Sequence, residues 1–407
     1  MTEPQLKRSI SLPLLVFYGL GTIVGAGIYL LVGKVSSEAG TATAYAFLLS
    51  GLVASFSALS HGELAARLPR SAGASVYVDR AFRRRWLAGL VGWAVVATGI
   101  VSSAAMVRGS VGYLDVFITL PPALVMGIFT LLLVGIAIWG MKESALLITL
   151  ITLLEVGGLI VAIYISSDLA PVLSWSEILM PPIDTGAWLG ISIGAYLAFY
   201  AFIGFEDMVT VAEEVTDVER AMPRAIIIVM VLATVLYVGV GIAALRVMPV
   251  ADLAASSAPF ADLISRAGQS PVFITLISLI AIINGALVQI IMASRMLYGM
   301  GQEALAPKFL SVVHHKRQTP HVASLMAGVV VLAFALFLPL VTLAKLTSSI
   351  ILMVFTLVNL ALVRLRLRDG VPDDAFNLPL LVPIIGALLS LTLFLWPFIG
   401  EVVGVGH

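Results

Sequence analysis

The 407-residue sequence predicts an all-α integral membrane protein of about eleven transmembrane helices. Three observations carry that expectation: an apolar composition, apolar runs of spanning length at regular intervals, and a one-sided distribution of basic residues. Hydrophobic residues make up 60% of the chain and charged residues 11%, with a mean hydropathy of +1.09. A water-soluble domain of this size covers its surface with charge, about a quarter of its residues. The lipid bilayer is therefore the expected surroundings.

The runs come next. A spanning helix needs about 20 mostly apolar residues. Such runs fall near 12–33, 41–65, 86–108, 121–140, 143–166, 188–214, 224–247, 271–300, 322–343, 346–366 and 376–397. Proline and glycine punctuate the short links between them, at Pro121-Pro122, Pro181-Pro182, Pro223, Pro271, Pro307, Pro320 and Pro372. The first run follows Lys7 and Arg8, is longer than a signal-peptide core, and has no small-residue cleavage site behind it, so it is expected to be retained.

Basic residues set the orientation. With Lys7 and Arg8 in the cytoplasm, the same side receives Arg67, Arg70, Arg80, Arg83 to Arg85, Lys142, Arg220 and Arg224. It also receives Arg295, Lys308, Lys316, Arg317, Arg364, Arg366 and Arg368. The other side keeps Lys34, Arg108, Arg246, Arg266 and Lys345. That is about 18 against 5, a strong positive-inside bias, and an odd span count puts His407 outside. A multi-pass protein of the inner or plasma membrane with a cytoplasmic N-terminus is expected.

Several function classes drop out. The formal net charge is zero, so no nucleic-acid partner is implied. There are no cysteines, which excludes thiol chemistry and Cys-based metal sites. No phosphate-binding Gly-rich loop, nucleophile elbow or intramembrane His pair is found, so neither an enzyme, a metal site nor a resident cofactor is expected.

The first and sixth runs are unusual. The first carries Gly19, Gly21, Gly25 and Gly27; the sixth carries Gly190, Gly194 and Gly204, with Glu206 and Asp207 directly behind. Glycine makes unwinding cheap, and irregular backbone at membrane depth survives where it lines a cavity. Two interrupted helices in corresponding places point to an inverted repeat. The chain is read as one transport domain over 1–407, with five-helix repeats at 11–166 and 187–366 and an additional helix at 376–397.

Four ordered motifs carry a family resemblance. Gly21-Thr22-Ile23-Val24-Gly25-Ala26-Gly27-Ile28 resembles the first-helix motif of the amino acid–polyamine–organocation transporters. Ser60-His61-Gly62-Glu63 through Arg67-Leu68-Pro69-Arg70 to Tyr77 and Arg80 resembles the end of their second helix and the segment after it. Phe199 to Asp207, with Ala212-Glu213-Glu214-Val215 and Ala221-Met222-Pro223-Arg224, resembles their sixth helix and its exit. Ala293-Ser294-Arg295 to Pro307-Lys308-Phe309-Leu310 is similar to the end of their eighth. The resemblance implies the five-plus-five inverted-repeat fold of the leucine-transporter group, with helices 1 and 6 broken. Many members have twelve helices; eleven are expected here.

The resemblance also implies a site. Free backbone N–H groups at Gly25, Ala26 and Gly27, next to Ile23, would receive a substrate carboxylate at a helix end. The competing reading of Gly21 and Gly25 is close helix packing through small residues. Carbonyls near Phe202 and Ile203 would receive the substrate ammonium, and Tyr200 would lie over it as an aromatic lid. Ser103 and Met106 fall where relatives touch the substrate side chain. Thr98, Ser102, Asn284, Gln289 and Ser349 are further candidate wall residues, although hydroxyls in spans commonly bond their own backbone.

Two carboxylates stand out. Each costs about 2.5–3.5 kcal/mol to insert at membrane depth and so usually marks function. Glu206 is the candidate gate or proton-responsive group; the alternative is a plain helix-end partner. Glu155 sits in the fifth span, where several sodium-independent relatives carry a lysine; here it would bind sodium or carry a coupling proton. The alternative for Glu155 is a neutral carboxyl bonded to neighbouring backbone. With no dedicated carboxylate evident in the wall beyond Glu206, a neutral amino acid taken up by proton symport is expected. An amino acid or polyamine exchanger is the alternative, and a channel a lesser one. Substrate identity and oligomeric state stay open.

Overall fold

The structure is a computed structural model that describes residues 8–68, 73–140, 145–167, 169–370 and 376–403. Lys7, Arg70, Lys142, Pro69, Pro372 and His407, all used in the sequence reading, lie outside the described residues. Among the described residues the protein is all-helical, apart from one parallel bridge between Ile10 and Val215.

Each expected run becomes a helix or a broken helix. The first is α1 (Leu12–Ile23) followed by α2 (Ala26–Ala39), extending past the expected end at 33. The second and third are α3 (Thr43–Arg67) and α5 (Arg85–Asp115), joined by a short α4 (Gly73–Phe82). α6 (Pro122–Trp139) and α7 (Ala145–Ser167) follow, and then a small α8 (Trp175–Leu179) in the connecting loop. Ser174 caps α8 reciprocally with Glu177, and its hydroxyl and N–H hold that carboxyl below the usual carboxylate range.

The sixth run is α9 (Thr185–Ala198), a 3₁₀ turn over Phe199–Phe202, a single-turn α10 (Phe205–Met208) and a second 3₁₀ stretch to Glu214. Next come α11 (Val218–Val247), the short α12 (Val250–Ala255) and α13 (Pro259–Arg266), and α14 (Val272–Gln302). α15 (His321–Phe337), α16 (Leu340–Asp369) and α17 (Leu381–Val403) complete the order. α11 starts six residues before the expected 224, so Pro223 lies inside the helix and not in a link. With no N–H to donate, it leaves the Glu219 carbonyl without its i+4 donor in the second turn of the helix.

By length and apolarity, eight of the helical segments can cross a membrane, with α1, α15 and α17 shorter. Large apolar side chains such as Leu131, Leu153, Val235 and Phe337 stand exposed on the outer faces, as lipid contact requires. At the helix ends, Arg317 stacks over Trp139 at 3.8 Å and Arg246 over Trp175 at 4.3 Å, pairing cations with aromatic rings as interfacial anchors.

Inside, α11 runs along α3, α14 along α5, and α15 along α6, while α9 packs on α2. Small residues permit these close approaches. A Cβ at Gly190 would lie 2.6 Å from the Glu38 carbonyl oxygen, and one at Gly27 would lie 2.6 Å from the Ala201 Cα. Of the glycines expected to interrupt the sixth helix, Gly190 and Gly194 remain helical and serve packing; only Gly204 sits at a break.

The segment before α1 is tied to the exit of the sixth helix. Ser9 N–H donates to the Glu214 carbonyl at 2.9 Å, and Thr216 N–H to the Ile10 carbonyl at 2.9 Å. Nearby, α3 and α16 are joined through Glu63, which is fully buried. Arg366 donates through Nε to Glu63 Oε1 at 2.7 Å and also pairs with Oε2; Arg67 sits 2.7 Å from Oε1. Arg366 is among the basic residues counted to the cytoplasmic side. It is only 9% exposed and belongs to this buried pair, because a neighbouring helix supplies the carboxylate. His61 of the second-helix motif is likewise buried, edge-on to Phe205 and Phe355 at 5.4 and 5.1 Å.

Candidate substrate site between two broken helices

Two interruptions face each other at the centre of the fold. In the first, α1 ends at Ile23, Val24 leaves helical geometry at φ −81°, ψ 68°, and Gly25 is extended at φ −124°, ψ −147°. α2 then begins at Ala26, so its first-turn N–H groups have no helical acceptor behind them. In the second, Ile203 is extended and Gly204 takes φ 130°, a left-handed value that only glycine adopts cheaply. A Cβ at Gly204 would strike the Thr22 carbonyl, so backbone meets backbone where the two breaks cross.

One hydroxyl fastens the crossing. Tyr237 of α11 reaches the Ile23 carbonyl at 2.7 Å and the Ala201 carbonyl at 3.0 Å, one from each broken helix. One carbonyl from each break thus gains a hydroxyl partner in a dry interior; the Ile23 carbonyl also accepts the Gly25 N–H at 2.9 Å, so of the three N–H groups expected to be free, that of Gly25 is taken. Sequence reading missed Tyr237, because nothing in an apolar seventh span distinguishes a structural tyrosine from a lipid-facing one.

The breaks enclose a cavity of about 30 Å³. Such a space holds one or two waters. Of the expected site residues, Ile23, Gly25, Ala26, Gly27, Met106, Tyr200 and Ile203 line it. Tyr200 donates its hydroxyl to the Ser102 carbonyl at 3.0 Å and accepts from the Ser102 hydroxyl at 3.1 Å. The ring is thereby pinned between α5 and the second break.

Others fall elsewhere. Ser103 is not in the lining; it turns its hydroxyl onto the Ala286 carbonyl of α14 at 3.2 Å, and Ser102 takes the wall position. Phe202 packs its ring on Tyr237, centroids 5.0 Å apart, behind the cavity. Glu206 bends back so that Oε2 accepts the Gly204 N–H at 2.9 Å. That is the geometry of the helix-end alternative. The carboxylate in the wall is Asp207, 6% exposed, so the expectation of a wall with no dedicated carboxylate beyond Glu206 is corrected.

Glu155 is wholly buried and lies one side chain behind the wall. Asn284, which lines the cavity, points Nδ2 at Glu155 Oε1 over 3.4 Å, a long contact, while Oε2 has no hydrogen-bond partner. The Tyr29 hydroxyl donates to the Glu155 backbone carbonyl at 2.7 Å, joining α2 to α7. Of the other candidates, Gln289 lines the cavity, whereas Thr98 and Ser349 bond carbonyls of their own helices at 3.0 and 2.9 Å. The arrangement offers donors for a carboxylate, a polar lid, one buried acid in the wall and a second one side chain behind it.

Comparison with known proteins places this architecture. Residues 15–396 match the family model described as amino acid permease. The branched-chain amino acid permease BcaP of Bacillus subtilis is 29% identical over 418 residues, covering 97% of this chain and 88% of that protein. The vacuolar cationic amino acid transporter 4 of Arabidopsis thaliana is 30% identical over 399 residues, 90% of this chain and 65% of its own. The methylthioribose transporter of Bacillus subtilis is 26% identical over 411 residues, 95% of this chain and 88% of its own. With the family model spanning nearly the whole sequence and two broken helices enclosing a cavity, the chain belongs to the amino acid permease family and is a multi-pass membrane transporter, not an enzyme.

Proposed function

We propose that the protein is a secondary active transporter importing amino acids by alternating access, driven by proton symport. The observation that carries this reading is the pair of breaks crossing at Gly204 and Thr22 around a cavity. The first turn of α2 offers N–H groups and the positive end of a 14-residue helix to the substrate carboxylate. Carbonyls at the second break receive its ammonium. Tyr200 closes over both.

Glu155 is the proposed proton carrier. It is buried with one carboxyl oxygen unpartnered, and Asn284 connects it to the cavity wall. A charge at that depth is costly, so proton loss and substrate release are tied to the opening of the site. Sodium at the same carboxylate is the alternative coupling.

The fold reads as two five-helix repeats, 11–166 and 187–366, with 376–397 additional. What supports this is the pairing of counterparts: α2 with α9, α3 with α11, α5 with α14, and α6 with α15. These are the first through fourth helices of each half, each touching its own equivalent, as helices close to a two-fold axis between halves do. The protein acts in the cell membrane with its N-terminus in the cytoplasm, by the excess of Lys and Arg on that side.

Uptake into proteoliposomes in sodium-free buffer, with and without an acidic-outside gradient, tests the reading. Accumulation of an amino acid only with the gradient is expected. Glu155→Gln is expected to abolish gradient-driven accumulation while sparing exchange of internal for external substrate. Accumulation by Glu155→Gln equal to that of the unaltered protein would remove Glu155 as the carrier. Uptake that needs internal substrate and ignores the gradient would assign exchange instead.

A further inference from the structure

The charges around the cavity do not balance for a neutral substrate. Among the described lining residues there is no lysine, arginine or histidine, and Asp207 is the one carboxylate. It is 6% exposed, and its Oδ2 has no hydrogen-bond partner. Its neighbour differs: Glu206 spends a carboxyl oxygen on the Gly204 N–H. Asp207 is therefore not consumed in capping the break.

A zwitterion does not resolve this. Its carboxylate goes to the first turn of α2 and its ammonium to the carbonyls of the second break, and those two charges cancel. Asp207 is left over, buried and unpaired, which is unfavourable for a carboxylate. It shares the wall with Gly21 and Thr22 of α1, on the other side of the break from Ala26 and Gly27. The same lining presents apolar side chains at Ile23, Met106, Ile203 and Val288, beside the polar Ser102, Tyr200, Asn284 and Gln289. A wall with helix-end N–H groups, apolar side chains and an unpaired carboxylate suits an α-carboxylate, methylenes and a cation.

Resting on the amino acid transport proposed above, we infer that Asp207 selects a substrate with a second cationic group at the end of an aliphatic side chain, a diamino or guanidino amino acid. The second positive charge pairs with Asp207, and the methylenes lie along Ile23, Met106 and Val288. A neutral substrate of the same length leaves Asp207 buried without a partner and is disfavoured for that reason.

Matched pairs test this in proteoliposomes: labelled lysine against norleucine, and ornithine against norvaline, each pair differing only by the terminal amine. The unaltered protein is expected to favour the cationic member by at least about tenfold in kcat/KM. In Asp207→Asn that ratio is expected to collapse toward unity, chiefly through KM for the cationic member, and Asp207→Glu is expected to restore part of it. Gel filtration of each variant reports folding, and the comparison in the unaltered protein stands even if a variant fails to fold. Equal handling of lysine and norleucine by the unaltered protein would overturn the inference while leaving amino acid transport intact. A cationic preference undiminished in Asp207→Asn would overturn Asp207 as its source. Failure to transport or bind any amino acid would overturn both readings together.

Discussion

Replacing Tyr237 by phenylalanine removes one oxygen atom and little else, yet that atom joins both breaks. The ring keeps its packing on Phe202 and on Phe47, at 5.0 and 6.0 Å between centroids. What is lost is the contact to the Ile23 carbonyl at 2.7 Å and to the Ala201 carbonyl at 3.0 Å. A typical hydrogen bond contributes a net ~1 kcal/mol, and a buried acceptor left without a partner costs about 1–3 kcal/mol. Interhelical bonds in membranes fall at the lower end, about 0.6 kcal/mol on average and 1.7 at most. A loss of about 1.5 kcal/mol is therefore expected, enough for roughly tenfold in an equilibrium constant.

Where that loss appears is the discriminating point. If Tyr237 holds the two breaks in the geometry that binds substrate, the loss falls on affinity as well as on stability. Tyr113→Phe supplies the matched control, since Tyr113 is equally buried and donates to the Tyr29 carbonyl at 2.6 Å, within α2 and beyond the break. Substrate dissociation constants, read from ligand-induced shifts in melting temperature of the detergent-purified protein, should rise about tenfold for Tyr237→Phe and less than about threefold for Tyr113→Phe. Equal weakening in the two variants would refute the assignment of Tyr237 to the crossing. So would a Tyr237→Phe affinity within twofold of the unaltered protein.

Two further perturbations follow from the same packing. Gly204→Ala places a Cβ against the Thr22 carbonyl at a φ of 130°; the backbone conformation alone costs about 1–3 kcal/mol, and the clash adds to it. Gel filtration of detergent extracts should show little folded protein, and a normal elution profile with normal uptake would contradict the crossing. Glu63→Gln leaves Arg366 buried beside Arg67 without its carboxylate, at a cost of about 3–5 kcal/mol. Combining it with Arg366→Met should recover most of the lost melting temperature; a double variant no more stable than Glu63→Gln would show that the pair is not what joins α3 to α16.

Element by element, the sequence announces its helices and conceals their rotation. The spans were legible because the bilayer imposes both a length and an apolar composition, and the breaks because glycine gathers where the chain unwinds. The missing information is azimuthal. Adjacent helical residues point about 100° apart, so choosing between Ser102 and Ser103, or between Glu206 and Asp207, requires knowing which face of the helix meets the cavity. In a soluble helix the polar stripe reveals the face. Here α5 is apolar nearly all round, and small residues occupy both its packed and its cavity-facing sides. Only the neighbouring helix decides, and it decides for Ser102 by setting Tyr200 against it and for Ser103 by offering the Ala286 carbonyl. The same holds for Glu206 and Asp207: the Gly204 N–H, freed by the break, draws the first carboxylate backward and leaves the second facing the cavity. The break that the sequence reveals is thus also what turns one acid away from the cavity and leaves the other in its wall.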